Sequence, residues 1–374
     1  PQAALVECAD LHDAVAVHTR LAAADLPGLV DCVAGAETVV VRASTTAALR
    51  DVVRAARAVP RGRAGSAALG VSPSGALDAA AAGSANRLVG NGPGAAVLEH
   101  LLGGLELTAH GEHVLAVTGA RTALTVTGPT PWRPPLGTPF ALRDGERLAV
   151  GAVTAGARVY VGVRGGVAVP PVLGSRSTDT LAGLGPDPLS AGDALPVGRD
   201  PGRAVRLPEP APGPPAASTV RVVPGPRDDW FSPAAVASFF AQEWELTASS
   251  DRVGARLSGE PLERVRTGEL PSEGTVPGCV QVPPSGLPVV LLQDAPTTGG
   301  YPVIGVVHPE DLAVLAQLRP GERLRFARTP GPELGAPFPQ DRAPGSTKNA
   351  DPVGTAPEAS ADTSADTSAD TSEE

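Results

Sequence analysis

The chain has 374 residues, enough for more than one buried core, and 42% of them are hydrophobic, which excludes a chain disordered throughout. Its 44 glycines and 41 prolines exclude a long helical array, because both residues interrupt helices and serve the turns between short strands. A formal charge of -10 without a visible Lys/Arg patch argues against nucleic acid as the main partner, and no apolar run approaches the roughly 20 residues that a bilayer span needs, so no membrane role is expected.

With only 3 Trp, 2 Tyr and 6 Phe, the cores must be built from Val, Leu and Ala. Cys8, Cys32 and Cys279 are too few and too far apart for a disulfide framework, a zinc site or a CxxC pair, so each reads as a small buried hydrophobe. The opening PQAALVECADLHD lacks the basic stretch and apolar core of a signal peptide, and a cytoplasmic location is expected.

In chain order, residues 1–57 read as a small α/β segment. Ala3–Glu7 and Glu37–Arg42 are strand-like, and Asp13–Ala24 and Thr46–Ala58 have helical spacing, which gives a βαβα order. A turn-rich loop follows Pro60, then a helix predicted over Ala76–Leu88 with an Asn91-Gly92 turn beyond it. Short strands then dominate: AVLEHLL, LELTA, HVLAVTG, ALTVTG, RLAVG and RVYVGVRGGVAV. Residues 201–218 form a proline-rich connection, and a second β unit runs over 219–328 with TVRVVPG, QEWELTA, GCVQVP, LPVVLLQD and RLRFAR as strands and Pro309–Leu318 as a helix. From about residue 329 the chain turns to Pro, Gly and small polar residues, with S-A-D-T three times near its end. Such a composition predicts a disordered acidic tail.

Several side chains stand where chemistry is feasible. Asp78 precedes an alanine-rich helix, where a carboxylate either caps backbone N–H groups or meets a substrate. Asn86 and Asn91 flank the end of that helix and can satisfy its backbone. Glu99 follows an apolar strand, as an edge residue or as a buried acid with a raised pKa. Arg176, in LGSRST, suits either a clamp on a carboxylate or phosphate oxygen or an ion pair that fixes its loop.

The densest polar phrase is Asp294–Pro302. The strand PVVLLQ delivers Asp294 into a turn that holds Thr297, Thr298, Gly299, Gly300 and Tyr301. Adjacent glycines permit close backbone approach to a ligand, and the hydroxyls, carboxylate and phenol suit a small polar amide. A tight loop braced by Asp294 and the threonines is the other reading. Histidines at 12, 18, 100, 110, 113 and 308 make no dense cluster, and no metal site is assigned. There is no GxxxxGK[ST] loop and no GxSxG elbow. Lys348 is the only lysine, which makes lysine-based covalent catalysis and a covalent biotin site implausible.

Four clusters carry a resemblance when taken together. They are RGRAGSAALGVSPSGALDAAAAGSANRLVGNGPGAAVLE, then Gly165-Gly166 with Leu173–Thr178, then Ser250–Gly254 through Leu257, then Gly278–Pro283, Asp294–Pro302, His308 and Gln317–Gly321. In this order over residues 61–326 the chain resembles the family of KipA and the 5-oxoprolinase C subunit (AHS2), which is biotin-dependent carboxyltransferase-like and includes the second half of the urea carboxylase carboxyltransferase domain. Residues 1–57 are similar, more faintly, to the start of the partner family of KipI and the 5-oxoprolinase B subunit, but the PRR and GSVG-like phrases that follow there are missing. The chain also departs from the TVQDLGR-like opening of the KipA family, with Val59-Pro60 where that family has Gln-Asp.

The resemblance implies a mainly β fold of cyclophilin-like antiparallel β-barrel units, the first over residues 58–200 and the second over 219–328. It implies a component of an ATP-dependent 5-oxoprolinase that converts 5-oxo-L-proline to L-glutamate with A-type and B-type partner subunits. ATP would be needed by the complex as a whole. A urea carboxylase-type carboxyltransferase component and a non-catalytic Kip-like kinase regulator are the alternatives. Together with the chemistry above, it makes Asp294, Thr298 and Tyr301 the candidate catalytic residues. Gly75, Asp78, Asn86, Glu99, Arg176, Gly299, Gly300 and His308 are the candidate substrate-binding residues. The Asp294–Pro302 turn is expected to face the Gly70–Asp78 loop.

Overall fold

Alternating burial along the strands sets the layers. In Thr219–Pro224 the side chains of Val220 and Val222 are fully buried while Thr219 and Arg221 face solvent, the period of two that a sheet over a core imposes. The structure, a computed structural model, describes residues 2–7, 29–34, 38–43, 62–63, 66–208, 219–268 and 270–329. The helices predicted over 13–24 and 46–58 and the tail lie outside the described residues.

Near the start of the chain, β1 (Gln2–Glu7), β2 (Leu29–Ala34) and β3 (Thr38–Ala43) form an antiparallel sheet in the order β1-β3-β2. The first and third match the predicted strands. β2 was not expected, because LVDCVA places an aspartate inside an otherwise apolar run.

The next layer is an open five-stranded sheet of β4 (Leu98–Leu101), β5 (Glu106–Thr108), β6 (His113–Thr127), β7 (Phe140–Leu142) and β8 (Arg147–Val163). Its order is β4-β8-β6-β7, with β5 also paired to β8. Here the structure corrects the expectation of a first barrel. The sheet does not close, and the four predicted strands of its centre are two long ones. The sequence suggested breaks at Gly119 and Gly151, but the β6–β8 pairing passes through that region with register shifts, and Gly119 takes a φ of 92°. Helix α1 (Ala79–Leu88) lies on this sheet through Ala81, Ala82 and Ala85 against Tyr160. Small residues bring the backbones together, since a Cβ on Gly162 would lie 2.9 Å from the Ala85 carbonyl.

The second unit is a closed barrel. Its strands are β9 (Thr219–Pro224), β10 (Trp244–Leu246), β11 (Gly254–Ser258), β13 (Cys279–Gln281), β14 (Val289–Leu291), β16 (Val303–Val307) and β17 (Arg323–Arg328), in the order β10-β11-β14-β13-β16-β9-β17 with β10 paired to β17. A separate ribbon pairs β12 (Glu273–Gly274) with β15 (Thr298–Gly299). The barrel is not wholly antiparallel as expected, because β17 runs parallel to β9. Helix α2 (Pro233–Ala241) starts at Ser232, whose hydroxyl accepts the Ala235 N–H, with proline at the first helical position. Its Phe239 stacks on Phe326 at 4.5 Å between ring centroids and joins Trp244 in the barrel core. The helix predicted over Pro309–Leu318 is a 3-10 turn followed by α3 (Leu312–Gln317).

Leu77, in the loop before α1, is buried in the barrel core rather than under its own sheet. That side chain pins the loop between the two β layers, and the polar site forms at this seam.

Candidate functional site

Loop residues that must carry charge beside an apolar core need partners, because an unpaired buried charge costs several kcal/mol. Asp294 shows this most plainly. It follows β14, is fully buried, and accepts the Nε–H of Arg252 at 2.9 Å and an Nη2–H at 3.1 Å. The backbone N–H and hydroxyl of Thr180 add bonds of 3.1 and 2.9 Å. Burial pushes the Asp294 carboxyl upward, but the Arg252 guanidinium and the Thr180 N–H outweigh it and hold the carboxyl below the usual range.

Arg252 is the hub. Besides Asp294 it donates from Nη1 to Glu99 Oε1 and from Nη2 to the Gly75 carbonyl, each at 2.5 Å. Gly75 has a φ of 94°, a conformation in which glycine carries no steric penalty. Burial works against the Arg252 charge, yet Glu99 and Asp294 raise its pKa, so it stays a cation at all working pH. Glu99 in turn accepts the Tyr160 hydroxyl and the Leu77 N–H, both at 2.9 Å, and lies 3.5 Å from Arg158 Nε. Burial, and then the Glu99 charge, push the Tyr160 phenol well up, so it remains a neutral donor.

The network continues to α1 and α3. The Asp78 N–H donates to the Tyr160 oxygen at 2.8 Å; Asp78 Oδ1 caps α1 through the Ala81 N–H and Oδ2 accepts Gln317 Nε2 at 2.8 Å. Gln317 Oε1 accepts the N–H groups of Ala157 and Arg158, both at 3.0 Å. The side chains of Arg252, Glu99 and Arg158 keep 20%, 19% and 11% of their exposure, so this polar floor meets solvent. Among the described residues, one Nη1 hydrogen of Arg252 and the Nη2 group of Arg158 are left without acceptors. The floor can therefore offer donors to a carbonyl oxygen, while both oxygens of Glu99 are taken by Arg252, Arg158, Leu77 and Tyr160.

The structure thus brings Gly75, Asp78, Glu99 and Asp294 into one network, and the Asp294 turn touches the 70–78 loop as expected, with Ser74 N–H also donating to the Gln293 carbonyl. The other candidates stand outside it. Thr298, Gly299, Gly300 and Tyr301 lie in and after the β12–β15 ribbon, with Thr298 and Tyr301 exposed. Arg176 faces solvent and donates Nε–H to the Val169 carbonyl, so it clamps its own loop. Asn86 bonds the Ala95 carbonyl and accepts from Asn91, which bracing of the α1 end explains. His308 follows β16 at the end opposite Tyr301, with Nδ1 3.8 Å from Glu310. Sequence reasoning misses Arg252, Tyr160, Arg158, Gln317 and Thr180. Arg252 and Gln317 sit inside the resembling phrases Ser250–Gly254 and Gln317–Gly321; Arg158 and Tyr160 carry no signal beyond a strand pattern.

A family described as carboxyltransferase domain, subdomain A and B, matches residues 69–328. The chain is 38% identical over 273 residues to the C subunit of 5-oxoprolinase from Escherichia coli strain K12, covering 71% of this chain and 86% of that protein. The crystal structure of TTHA0988 superposes with a TM-score of 0.64 at 39% identity over 72% of this chain, which spans 52% of that one, about half its length. The crystal structure of the K. lactis urea amidolyase superposes with a TM-score of 0.63 at 31% identity, covering 71% of this chain and 18% of that one.

Proposed function

Because the chain belongs to the carboxyltransferase domain, subdomain A and B, family, we propose that it is the C-type component of a 5-oxoprolinase, opening the lactam of 5-oxo-L-proline to L-glutamate with A-type and B-type partner subunits. The observation that carries this reading is the identity that runs along most of the E. coli protein. A urea carboxylase-type carboxyltransferase component is the second reading, supported by the likeness to the K. lactis urea amidolyase.

Both substrates are small amides, and the polar floor suits their shared edge. The uncommitted N–H groups of Arg252 and Arg158 donate to the carbonyl oxygen and to the charge that develops there, and Glu99 holds the two guanidinium groups in place. Asp294, fully buried and paired with Arg252, holds that guanidinium in position and does not reach the substrate.

Lactam opening needs activation of a stable amide, the chemistry ATP supplies in the complex. Among the described residues, two places that could approach a phosphate do not suit one. The α1 N-terminus is closed by the Asp78 carboxylate, which would repel phosphate, and Gly299-Gly300 lie at a β-ribbon rather than at a helix start. No step assigned to this chain runs through ATP.

The test is glutamate release from 5-oxo-L-proline and ATP by the purified chain, alone and with candidate A-type and B-type partners. Turnover is expected only with both partners. Robust turnover by the chain alone refutes the division of labour, and carboxyl transfer to urea without lactam opening moves the assignment to the second reading.

A further inference from the structure

Helix α2 buries Ala235 and Phe239 in the barrel core, and a surface helix normally turns polar side chains to water on its other side. This one does not. Pro233 and Ala237 are exposed, Val236 and Phe240 are half-buried, and the four stand at i, i+3, i+4 and i+7, one apolar stripe along the helix. With Phe231 they line an open groove of about 690 Å³.

The groove carries opposite charges at its two ends. Asp228 and Asp229 stand at the start of the helix, in the 3-10 turn that leads into it. At the far end the Arg328 guanidinium lies over the Phe240 ring, 5.5 Å from its centroid. From Pro233 to Phe240 the helix rises about 10 Å, which sets the spacing of the two ends. Asp229 pairs with Arg266 at 2.7 Å on the surface, whereas neither Asp228 nor Arg328 has an ion-pair partner among the described residues. The strand directions place the groove away from the polar floor. β17 is antiparallel to β10, and β10 to β11, so Arg328 at the end of β17 and Arg252 just before β11 stand at opposite ends of the barrel.

We propose that this groove is a homodimer contact, in which a second copy of the chain lays its own α2 antiparallel across it about a two-fold axis near Val236 and Ala237. A two-fold interface must be complementary to itself. The groove meets that condition with its own residues. Turned end for end, it sets the apolar stripe against itself and brings Arg328 of each copy opposite Asp228 of the other. Ala237, at the centre of the stripe, lets the two helices approach closely. The occupant that fits must present an apolar stripe with an acid and a base about two turns apart, and the chain itself presents one.

The test is sedimentation velocity on the full chain between about 1 and 100 μM. A stripe of two turns with two charge pairs is a small interface, so dimer is expected to accumulate with a dissociation constant in the micromolar range, roughly 1–100 μM. Ala237→Arg, on the exposed side of the helix, should leave the melting temperature unchanged and weaken association by about tenfold or more. Arg328→Asp and Asp228→Arg should each weaken it by about tenfold, and the double variant, which restores opposite charges across the axis, should recover most of the association. A wild-type chain that stays monomeric throughout overturns the proposal; if an added A-type or B-type subunit then binds wild type and not Ala237→Arg, the groove belongs to that partner. A dimer that Ala237→Arg leaves intact forms through another face and also overturns it, and a double reversal that recovers nothing overturns the antiparallel pairing. Should Ala237→Arg fail to melt cooperatively, Pro233→Glu puts a charge on the same stripe in the first helical turn, where an acid suits the helix dipole. Weakened association then supports the proposal and unchanged association overturns it.

Discussion

Arg252 joins Asp294, Glu99 and the Gly75 carbonyl, so the loss of any one partner changes the electrostatics of the others. Asp294→Asn preserves volume and leaves the buried guanidinium with one fewer charge beside it. It is expected to destabilise the fold by about 3 kcal/mol, the scale for breaking a buried pair, in urea titrations at neutral pH. The pH dependence follows from the depressed carboxyl. Its contribution is fully present above the unfolded-state value of about 4 and is lost as pH falls through the lower folded value. The stability gap between wild type and Asp294→Asn should therefore shrink below about pH 4, and a gap that stays constant down to about pH 2 would show that the ion pair is not its source. In the reconstituted complex the same variant should cost far less than the roughly 10²–10⁴-fold in kcat that removal of a general base gives, because Asp294 does not face solvent.

Between elements, Gln317 is the joint. The last residue of α3 bonds two N–H groups of β8 and the cap of α1, across sequence separations of up to 239 residues. Gln317→Leu leaves the buried N–H of Ala157 without an acceptor, and about 2–3 kcal/mol of stability should be lost in equilibrium unfolding; a loss under about 0.5 kcal/mol would show that water takes its place. These separations also explain what the sequence disclosed and what it withheld. β9, β13 and β14 were legible as valine- and leucine-bearing runs between turns, and β17 by the alternation of its arginines with Leu324 and Phe326. Helix α1 was legible from its alanines, although the structure starts it at Ala79 because Asp78 caps it. Helix α2 escaped because SPAAVASFFA has no polar face to give a helical period. The Asp294 turn and the 70–78 loop were found as phrases, whereas Tyr160 and Arg158 are single polar residues in a strand whose partners are fixed only by tertiary contact. Closure was equally invisible: nothing in the strand patterns separates the open sheet of 98–163 from the barrel of 219–328.

For the whole molecule, the described residues end just past β17, where the Thr329 N–H donates to the Val222 carbonyl. The S-A-D-T repeats beyond it offer no side chain large enough to add a core. A chain ending at Thr329 is therefore expected to melt within about 1 kcal/mol of the full chain, and one ending at Glu322, which lacks β17, to lose cooperative unfolding of the barrel. A clear loss of stability in the chain ending at Thr329 would show that the tail packs.

The parallel pairing of β9 with β17 has a consequence for synthesis. The strand that opens this barrel in the sequence and the strand that ends it are spatial neighbours, so during translation the edge of β9 stays unpaired on one side until about a hundred further residues have left the ribosome. Through that interval Val220 and Val222 lie on an incomplete sheet, a state of high contact order that is slow to resolve and open to association with other nascent chains. Chaperone demand during expression should accordingly track the delay before Arg328 emerges, more than the stability of the finished fold.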